Sequence, residues 1–278
     1  MITAEPERNL KEIQGPFQSD FRFGRYDDAV KRRRESVTGL QSIFQRTEKK
    51  YLLGPEQRRA LEEIVRGYME PDEYGLQTIA NIYYDTPDCM LIRESLEKPI
   101  YKEKLRIRSY GRAGSDSQVF VELKKKFKGV VYKRREVMSL KDAEIFLRTG
   151  IARHPLSQIQ KEIDWFRNFH DVIPRAFVAY EREAYVDPCG SGLRLTFDTD
   201  IRCRDKDLRL SAPLEGKPIL PDDQTLMEVK GRGALPLWLA TALSSLSIYP
   251  VSFSKYGHYY QEVLSHEATD KRRQIYVA

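Results

Sequence analysis

The sequence predicts the α+β class: an antiparallel β-barrel of about eight strands with helices packed around it. Three observations lead there. Successive strand-like runs are joined by short turns, which implies antiparallel pairing. Helical segments are inserted between groups of strands rather than after every strand. Between Lys98 and Arg135, charged residues recur two apart, in Lys102-x-Lys104-x-Arg106-x-Arg108, Glu122-x-Lys124-x-Lys126 and Lys133-x-Arg135. Residues at i and i+2 share one face of a strand, so each strand carries a charged stripe backed by apolar residues such as Leu105, Ile107, Val121 and Leu123. On an ordinary sheet that stripe meets water; in a closed barrel it lines the inside.

The elements follow in order. Phe44–Leu53 reads as a strand ended by Gly54-Pro55, and Pro55 opens a helix to about Tyr68 with Leu61, Ile64 and Val65 on one side. Thr78–Asp85 is rich in β-formers and stops at Thr86-Pro87. A short helical piece over Asp88–Ser95 precedes the three basic strands, which are separated by turns at Gly111–Gly114 and Lys128-Gly129. Ser139 caps a helix carrying Ala143, Phe146 and Leu147, and another helix covers Gln158–Phe169. Strands resume at Arg175–Tyr185, Leu193–Ile201 and Thr225–Lys230. Helices at Pro236–Ser247 and Lys255–Ala268 close the chain. Residues 1–40, with Lys31-Arg32-Arg33-Arg34, read as a basic arm, and 41–278 as a single domain.

Composition narrows the partners. The 278 residues carry a net charge of +6, but 13 Lys/Arg stand against 3 Asp/Glu between Lys98 and Arg135, so an anionic partner is expected there. Cys89, Cys189 and Cys203 show no metal spacing and no even set for disulfides, which suits a reducing, cytoplasmic setting. The first residues lack the apolar core of a signal peptide. The uncharged stretch Gly233–Ser254 is broken by Pro236 and Pro250 and reads as a docked amphipathic helix, not a membrane span.

Parity extends the charged face to later strands. Val178, Tyr180, Arg182 and Ala184 share a face; so do Arg194, Thr196, Asp198 and Asp200, and Leu226, Glu228 and Lys230. Arginine's planar fork suits phosphate oxygens. Among the acids, Glu48, Glu122 and Glu228 are candidates either to bridge Mg²⁺ or Mn²⁺ to phosphates or to pair with a neighbouring cation. There is no nucleophile–base signature: His154, His170, His258 and His266 are scattered. No P-loop or dinucleotide fingerprint is present, so phosphate would be gripped by side chains.

The ordered segments Phe44-Gln-Arg-Thr-Glu-Lys-Lys-Tyr51, Tyr83-Tyr-Asp-Thr86, Leu105-Arg-Ile-Arg-Ser-Tyr-Gly111, Phe120-Val-Glu-Leu-Lys124, Lys133-Arg-Arg135, Tyr180-Glu-Arg182, Arg194-Leu-Thr-Phe-Asp198, Met227-Glu-Val-Lys230 and Phe253-Ser-Lys-Tyr256 resemble the VTC domain. That is the polyphosphate-polymerase branch of the triphosphate tunnel metalloenzymes, the CYTH-like superfamily. The resemblance implies an antiparallel β-barrel tunnel, open at both ends. It also implies metal-dependent transfer of the γ-phosphoryl group of ATP to inorganic polyphosphate, releasing ADP. On it, Lys50, Arg106, Arg108, Lys124, Lys133, Arg182, Arg194 and Lys255 are catalytic cations. Arg135, Glu122, Tyr180 and Ser254 bind substrate, and Glu228 holds Mn²⁺ or Mg²⁺.

Two other functions fit the same stripes. One is a triphosphatase acting on inorganic triphosphate, a nucleotide or an RNA 5′ end. Such enzymes show a Glu-x-Glu-x-Lys start where this chain has Arg46-Thr-Glu48-Lys-Lys50. The other is a non-catalytic polyphosphate-binding module. Nucleic acid is not expected, because Tyr101 and Tyr132 fall off the cationic parity. No transmembrane segment is expected; peripheral membrane contact is compatible with the charge.

Overall fold

A computed structural model describes residues 46–265 except Gly129. The expected basic arm, the start of the first strand and the end of the last helix lie outside the described residues.

Among the described residues, eight long strands and three two-residue strands make one antiparallel sheet. They are β1 (Arg46–Leu53), β2 (Glu70–Pro71), β3 (Gln77–Asp85), β4 (Tyr101–Tyr110), β5 (Gln118–Phe127), β6 (Val130–Ser139), β7 (Ile173–Val186), β8 (Arg194–Arg204), β9 (Lys217–Pro218), β10 (Thr225–Arg232) and β11 (Pro250–Val251). The helices are α1 (Pro55–Val65), α2 (Met90–Leu96), α3 (Leu140–Thr149), α4 (Gln158–His170), α5 (Leu237–Ser245) and α6 (Lys255–Tyr259), the last continuing as a π-helical stretch over Tyr260–Leu264. The sheet order is β11-β1-β10-β8-β7-β3-β4-β5-β6, with β2 on β7 and β9 on β8.

Local chemistry sets the helix ends. Asp142 N donates to Ser139 Oγ at 3.1 Å to start α3, and Gly150 ends it at φ 76°. An added Cβ at Gly150 would lie 2.5 Å from Asp164 of α4, so this position needs glycine for space as well as for φ. A reciprocal box opens α4: Gln160 N donates to Ser157 Oγ at 3.1 Å, and Ser157 N to Gln160 Oε1 at 2.9 Å.

The outer face of the sheet carries the core. Ala80, Ile82, Leu105, Ile107, Val121 and Leu123 pack under Ala143, Phe146 and Leu147 of α3 and Ile163 and Phe166 of α4. Tyr51, Leu53, Leu195, Phe197 and Val229 pack under Leu61 and Val65 of α1 and Leu239, Ala242 and Leu243 of α5. The helix expected around Gly233–Ser254 is therefore docked by its apolar stripe. No helix among the described residues is long and apolar enough to cross a membrane.

Three features differ from expectation. The sheet is not closed by hydrogen bonds: β1 and β6 do not pair, and the seam is bridged by side chains, with Lys124 of β5 reaching Glu48 of β1 at 3.4 Å. Nor is the tunnel bare at both ends. Val178, Tyr180, Ile201 and Leu226 pack against Ile92 of α2 and Tyr256 and Tyr259 of α6, which floors one part of the inner face with an apolar cluster. Finally, Asp200 does not share the face of Asp198. A register shift between β7 and β8 coincides with φ 45° at Asp200, so parity slips there. Its carboxylate pairs with Arg202 at 2.6 Å, and Arg202 turns to Glu181.

A candidate phosphate-binding chamber

Register places the charged stripes on one inner face. Across β3, β4, β5 and β6, Tyr83 stands opposite Arg106, Arg106 opposite Glu122 and Glu122 opposite Arg135. Across the other wall, Lys50 stands opposite Glu228, and Glu228 opposite Thr196. Apolar residues between the charges point out to the helices, so the period of two is what delivers the cations inward.

Two acid-centred clusters organise them. Glu122 is buried and bound on both oxygens. Arg106 donates to Oε2 through Nε at 2.9 Å and Nη2 at 2.7 Å, while Arg108 stands 3.7 Å from that oxygen. Lys133, at 2.7 Å, and Arg135, through Nε at 2.9 Å, take Oε1. Burial alone would raise the pKa of Glu122. Arg106, Arg108 and Lys133 outweigh it and hold the carboxyl well below the usual carboxylate range. Arg134, the residue between Lys133 and Arg135, reaches Glu162 of α4 at 3.1 Å on the outer face, so the inward–outward alternation read from the sequence holds here.

The second cluster lies around Asp198 and Glu228. Arg182 donates through Nε and Nη2 to the two oxygens of Asp198, both at 2.6 Å, and Lys255 Nζ reaches the same carboxylate at 2.5 Å. Glu228 takes Lys230 at 2.9 Å and Lys50 at 3.4 Å, with Arg182 at 3.6 Å and Lys255 at 3.7 Å. Burial opposes ionisation of Glu228, but Lys230, Lys50, Lys255 and Arg182 drive its pKa well below the usual value. Lys50 also donates to the Phe253 carbonyl at 2.9 Å.

Tyr180 lies between the clusters. Its ring sits 4.3 Å from Lys255 Nζ and 5.1 Å from the Arg182 guanidinium carbon. Burial would raise the phenol's pKa; Arg182, Arg108 and Lys255 together lower it. Ser254 Oγ accepts from Gly257 N at 3.2 Å as the cap of α6, and from Lys104 Nζ at 3.1 Å.

Of the sequence-predicted residues, Lys124, Ser254 and Arg194 stand outside both clusters, Lys124 pairing with Glu48 and Ser254 with Lys104. Arg194, the first residue of β8, donates to Asp72 Oδ2 at 2.6 Å, which puts it at the rim. Sequence reasoning left unassigned Lys104, Asp198, Asn81 and Tyr83. Asn81 Oδ1 accepts from Arg108 Nε at 3.1 Å, and Tyr83 OH accepts from Arg106 Nη1 at 3.1 Å. The signal for Lys104 and Asp198 is in the stripes; Asn81 and Tyr83 lie on β3, a strand without cations, which parity alone does not tie to the others. Two of the histidines pair outside the chamber: His170 faces Glu103 at 3.6 Å, and His258 pairs with Glu262 at 2.9 Å.

Among the described residues no group of three or more His, Cys, Asp or Glu is placed to hold a metal ion unaided. Glu48 and Glu228 share Lys50, at 3.9 Å and 3.4 Å. This pair fits a divalent ion that takes most of its ligands from phosphate oxygens, as Mg²⁺ commonly does.

The profile of the VTC domain matches residues 45–264. No curated protein matches the sequence. Among solved structures, a candidate adenylate cyclase from Bacillus halodurans aligns at 15% identity and TM-score 0.44, over 74% of this chain and 92% of its own. A candidate adenylyl cyclase from Hippeastrum with dominant triphosphatase activity aligns at 16% identity and TM-score 0.41, over 77% and 94%. A Mimivirus capping enzyme triphosphatase aligns at 11% and 0.30, over 82% and 97%.

Proposed function

We propose that this chain, which belongs to the VTC domain family, is a metal-dependent polyphosphate polymerase that transfers the γ-phosphoryl group of ATP to a growing inorganic polyphosphate chain and releases ADP. One observation carries the reading. The inward carboxylates Glu122, Asp198 and Glu228 are each engaged by two or more cations, and cations still remain in excess, Lys104 having no carboxylate partner among the described residues. A chamber of this kind suits a polyanionic chain better than activation of water, since its carboxylates are shared with cations and a metal ion there would take most of its ligands from phosphate oxygens.

The chemistry then asks little covalent work of the protein. An ionised terminal oxygen of the acceptor chain attacks the γ-phosphorus. The bond from that phosphorus to the β–γ bridging oxygen breaks, and its electron pair leaves on ADP. The attacking oxygen carries no proton, so no general base is required. Arg106, Arg108, Lys133 and Arg135 on one wall, with Lys50, Arg182 and Lys255 on the other, would align the phosphates and neutralise charge as it builds. Lys124 at the seam and Arg194 at the rim would add cationic contacts, and Tyr180 and Ser254 polar ones. Glu122 would hold the guanidinium groups in place. Glu228, with Glu48 beside it, would hold Mn²⁺ or Mg²⁺, which neutralises charge between phosphates when bound.

Product would leave past the apolar cluster that α2 and α6 make with part of the inner face. The reading takes 41–278 as one domain. It includes a cytoplasmic setting, supported by three free cysteines, two of them buried.

The test is incubation of the purified protein with ATP and Mn²⁺, with products resolved by gel electrophoresis and ion chromatography. A polyphosphate ladder with ADP is expected. Orthophosphate without a ladder would make the protein a triphosphatase, and binding without turnover a polyphosphate-binding module.

A further inference from the structure

On the inner face of β4 and β5, Lys102 stands directly opposite Lys126, and Lys104 directly opposite Lys124. Directly opposed side chains on antiparallel strands have Cβ atoms about 5 Å apart, and like charges there are destabilising. The outer face of the same two strands obeys the ordinary rule. Glu103 stands opposite Lys125, and the pair closes to 3.4 Å. Two successive like-charge pairs on one face, beside an opposite-charge pair on the other, mark the inner face as built for something absent from the protein itself.

The partners of the four lysines sharpen this. Lys124 alone reaches a carboxylate among the described residues, Glu48 at 3.4 Å. Lys102 Nζ donates to the Ser95 carbonyl at 2.9 Å and Lys104 Nζ to Ser254 Oγ at 3.1 Å, both neutral acceptors. Burial, then the neighbouring lysines, lowers the pKa of Lys102 and Lys104. Successive pairs along a strand lie about 7 Å apart. The block therefore runs from Ser254 at the head of α6 to Ser95 near the end of α2, past the apolar floor and away from Glu122.

We propose that Lys102, Lys104, Lys124 and Lys126 form a second anion site, a short track that holds an inorganic polyphosphate chain beyond the phosphates gripped around Glu122 and Glu228. The identity of the anion rests on the polymerase reading. The track supplies the way past the floor that a growing product needs. A single-stranded nucleic acid fits less well: Tyr101 and Phe127 pair with each other at 6.4 Å on the outward parity, and Tyr83 and Tyr256, which line a cavity with Lys104, already stack on each other at 5.2 Å.

The experiment measures binding of tripolyphosphate, of long-chain polyphosphate and of a single-stranded oligonucleotide to the full chain and to a Lys102→Met, Lys126→Met variant. Methionine keeps the aliphatic stem and removes the charge. The variant should bind long-chain polyphosphate at least tenfold more weakly, with a shallower salt dependence, and tripolyphosphate within about twofold of the parent. Free of ligand, it should melt at a higher temperature because repulsion is relieved. A Lys102→Arg, Lys126→Arg variant should keep long-chain binding. Unchanged long-chain affinity, an equal loss for both phosphates, or a parent preference for the oligonucleotide would each overturn the track. The two readings fail separately. A length-selective loss without a polyphosphate ladder from ATP sinks the polymerase and leaves the track. A ladder with no length-selective loss does the reverse.

Discussion

Arg106 and Glu122 stand opposite each other on β4 and β5, and the guanidinium closes on one carboxylate oxygen through Nε at 2.9 Å and Nη2 at 2.7 Å. The other oxygen belongs to Lys133 and Arg135. One buried carboxylate thus offsets several cations, and the chamber's stability without ligand depends on it.

Glu122→Gln should therefore cost about 3–5 kcal/mol, the range for breaking a buried ion pair from one side. Urea unfolding reads this directly. Tripolyphosphate should restore part of the loss, because it binds the folded state and supplies the missing charge. A variant as stable as the parent would show that the cations disperse into solvent when released.

Glu228→Gln separates binding from turnover. The substitution removes a negative charge that Lys50 and Lys230 partly neutralise, so affinity for polyphosphate should hold or rise. Metal-dependent consumption of ATP should fall about a hundredfold or more if Glu228 positions the ion. Equal loss of binding and turnover would point to collapse of the wall instead.

Lys104 sets a pH dependence. Burial, reinforced by Lys50, Lys102 and Lys124 against a weak pull from Asp85, pushes its pKa down to about 7. In the unfolded chain the amine holds its proton to about 10.4. Between these values the unfolded state binds more protons, so Lys104's contribution to stability rises with pH from about 7 to 10 and is least favourable below 7. Lys133, lowered to about 8 chiefly by burial, acts in the same direction. Melting temperature of the ligand-free protein should climb across this window, and Lys104→Met should flatten the climb. An identical slope in the variant would remove Lys104 as its source.

The alternation on β6 gives a paired comparison. Arg135 reaches Glu122 inside at 2.7 Å, and Arg134 reaches Glu162 outside at 3.1 Å. Arg135→Ala should weaken tripolyphosphate binding tenfold or more, whereas Arg134→Ala should leave it within twofold and cost under about 1 kcal/mol of stability. A reversed pattern would mean that the hairpin is shifted by one residue.

Much of this was legible in the chain. The positions and types of the long strands, the Ser139 cap and the inward set Arg106, Arg108, Lys124, Lys133 and Arg135 follow from a period of two and from turn chemistry, which act over a few residues. Arg194 was placed on the right strand, but its pairing with Asp72 was not readable, because Asp72 lies 122 positions earlier.

What the sequence determined by itself is therefore the local layer: which residues are strands, which face of each strand is charged, and that between Lys98 and Arg135 cations far outnumber acids. Tertiary structure alone decided the rest. It set the sharing of Glu122, the contact of Lys255 with Asp198 across 57 positions, the slip of parity at Asp200, the seam left open between β1 and β6, and the floor laid by α6. The physical reason is range. Side-chain alternation is a property of each strand's own backbone. Ion pairing and packing depend on which distant strand comes to lie alongside, and that is chosen by burying the apolar outer face as a whole.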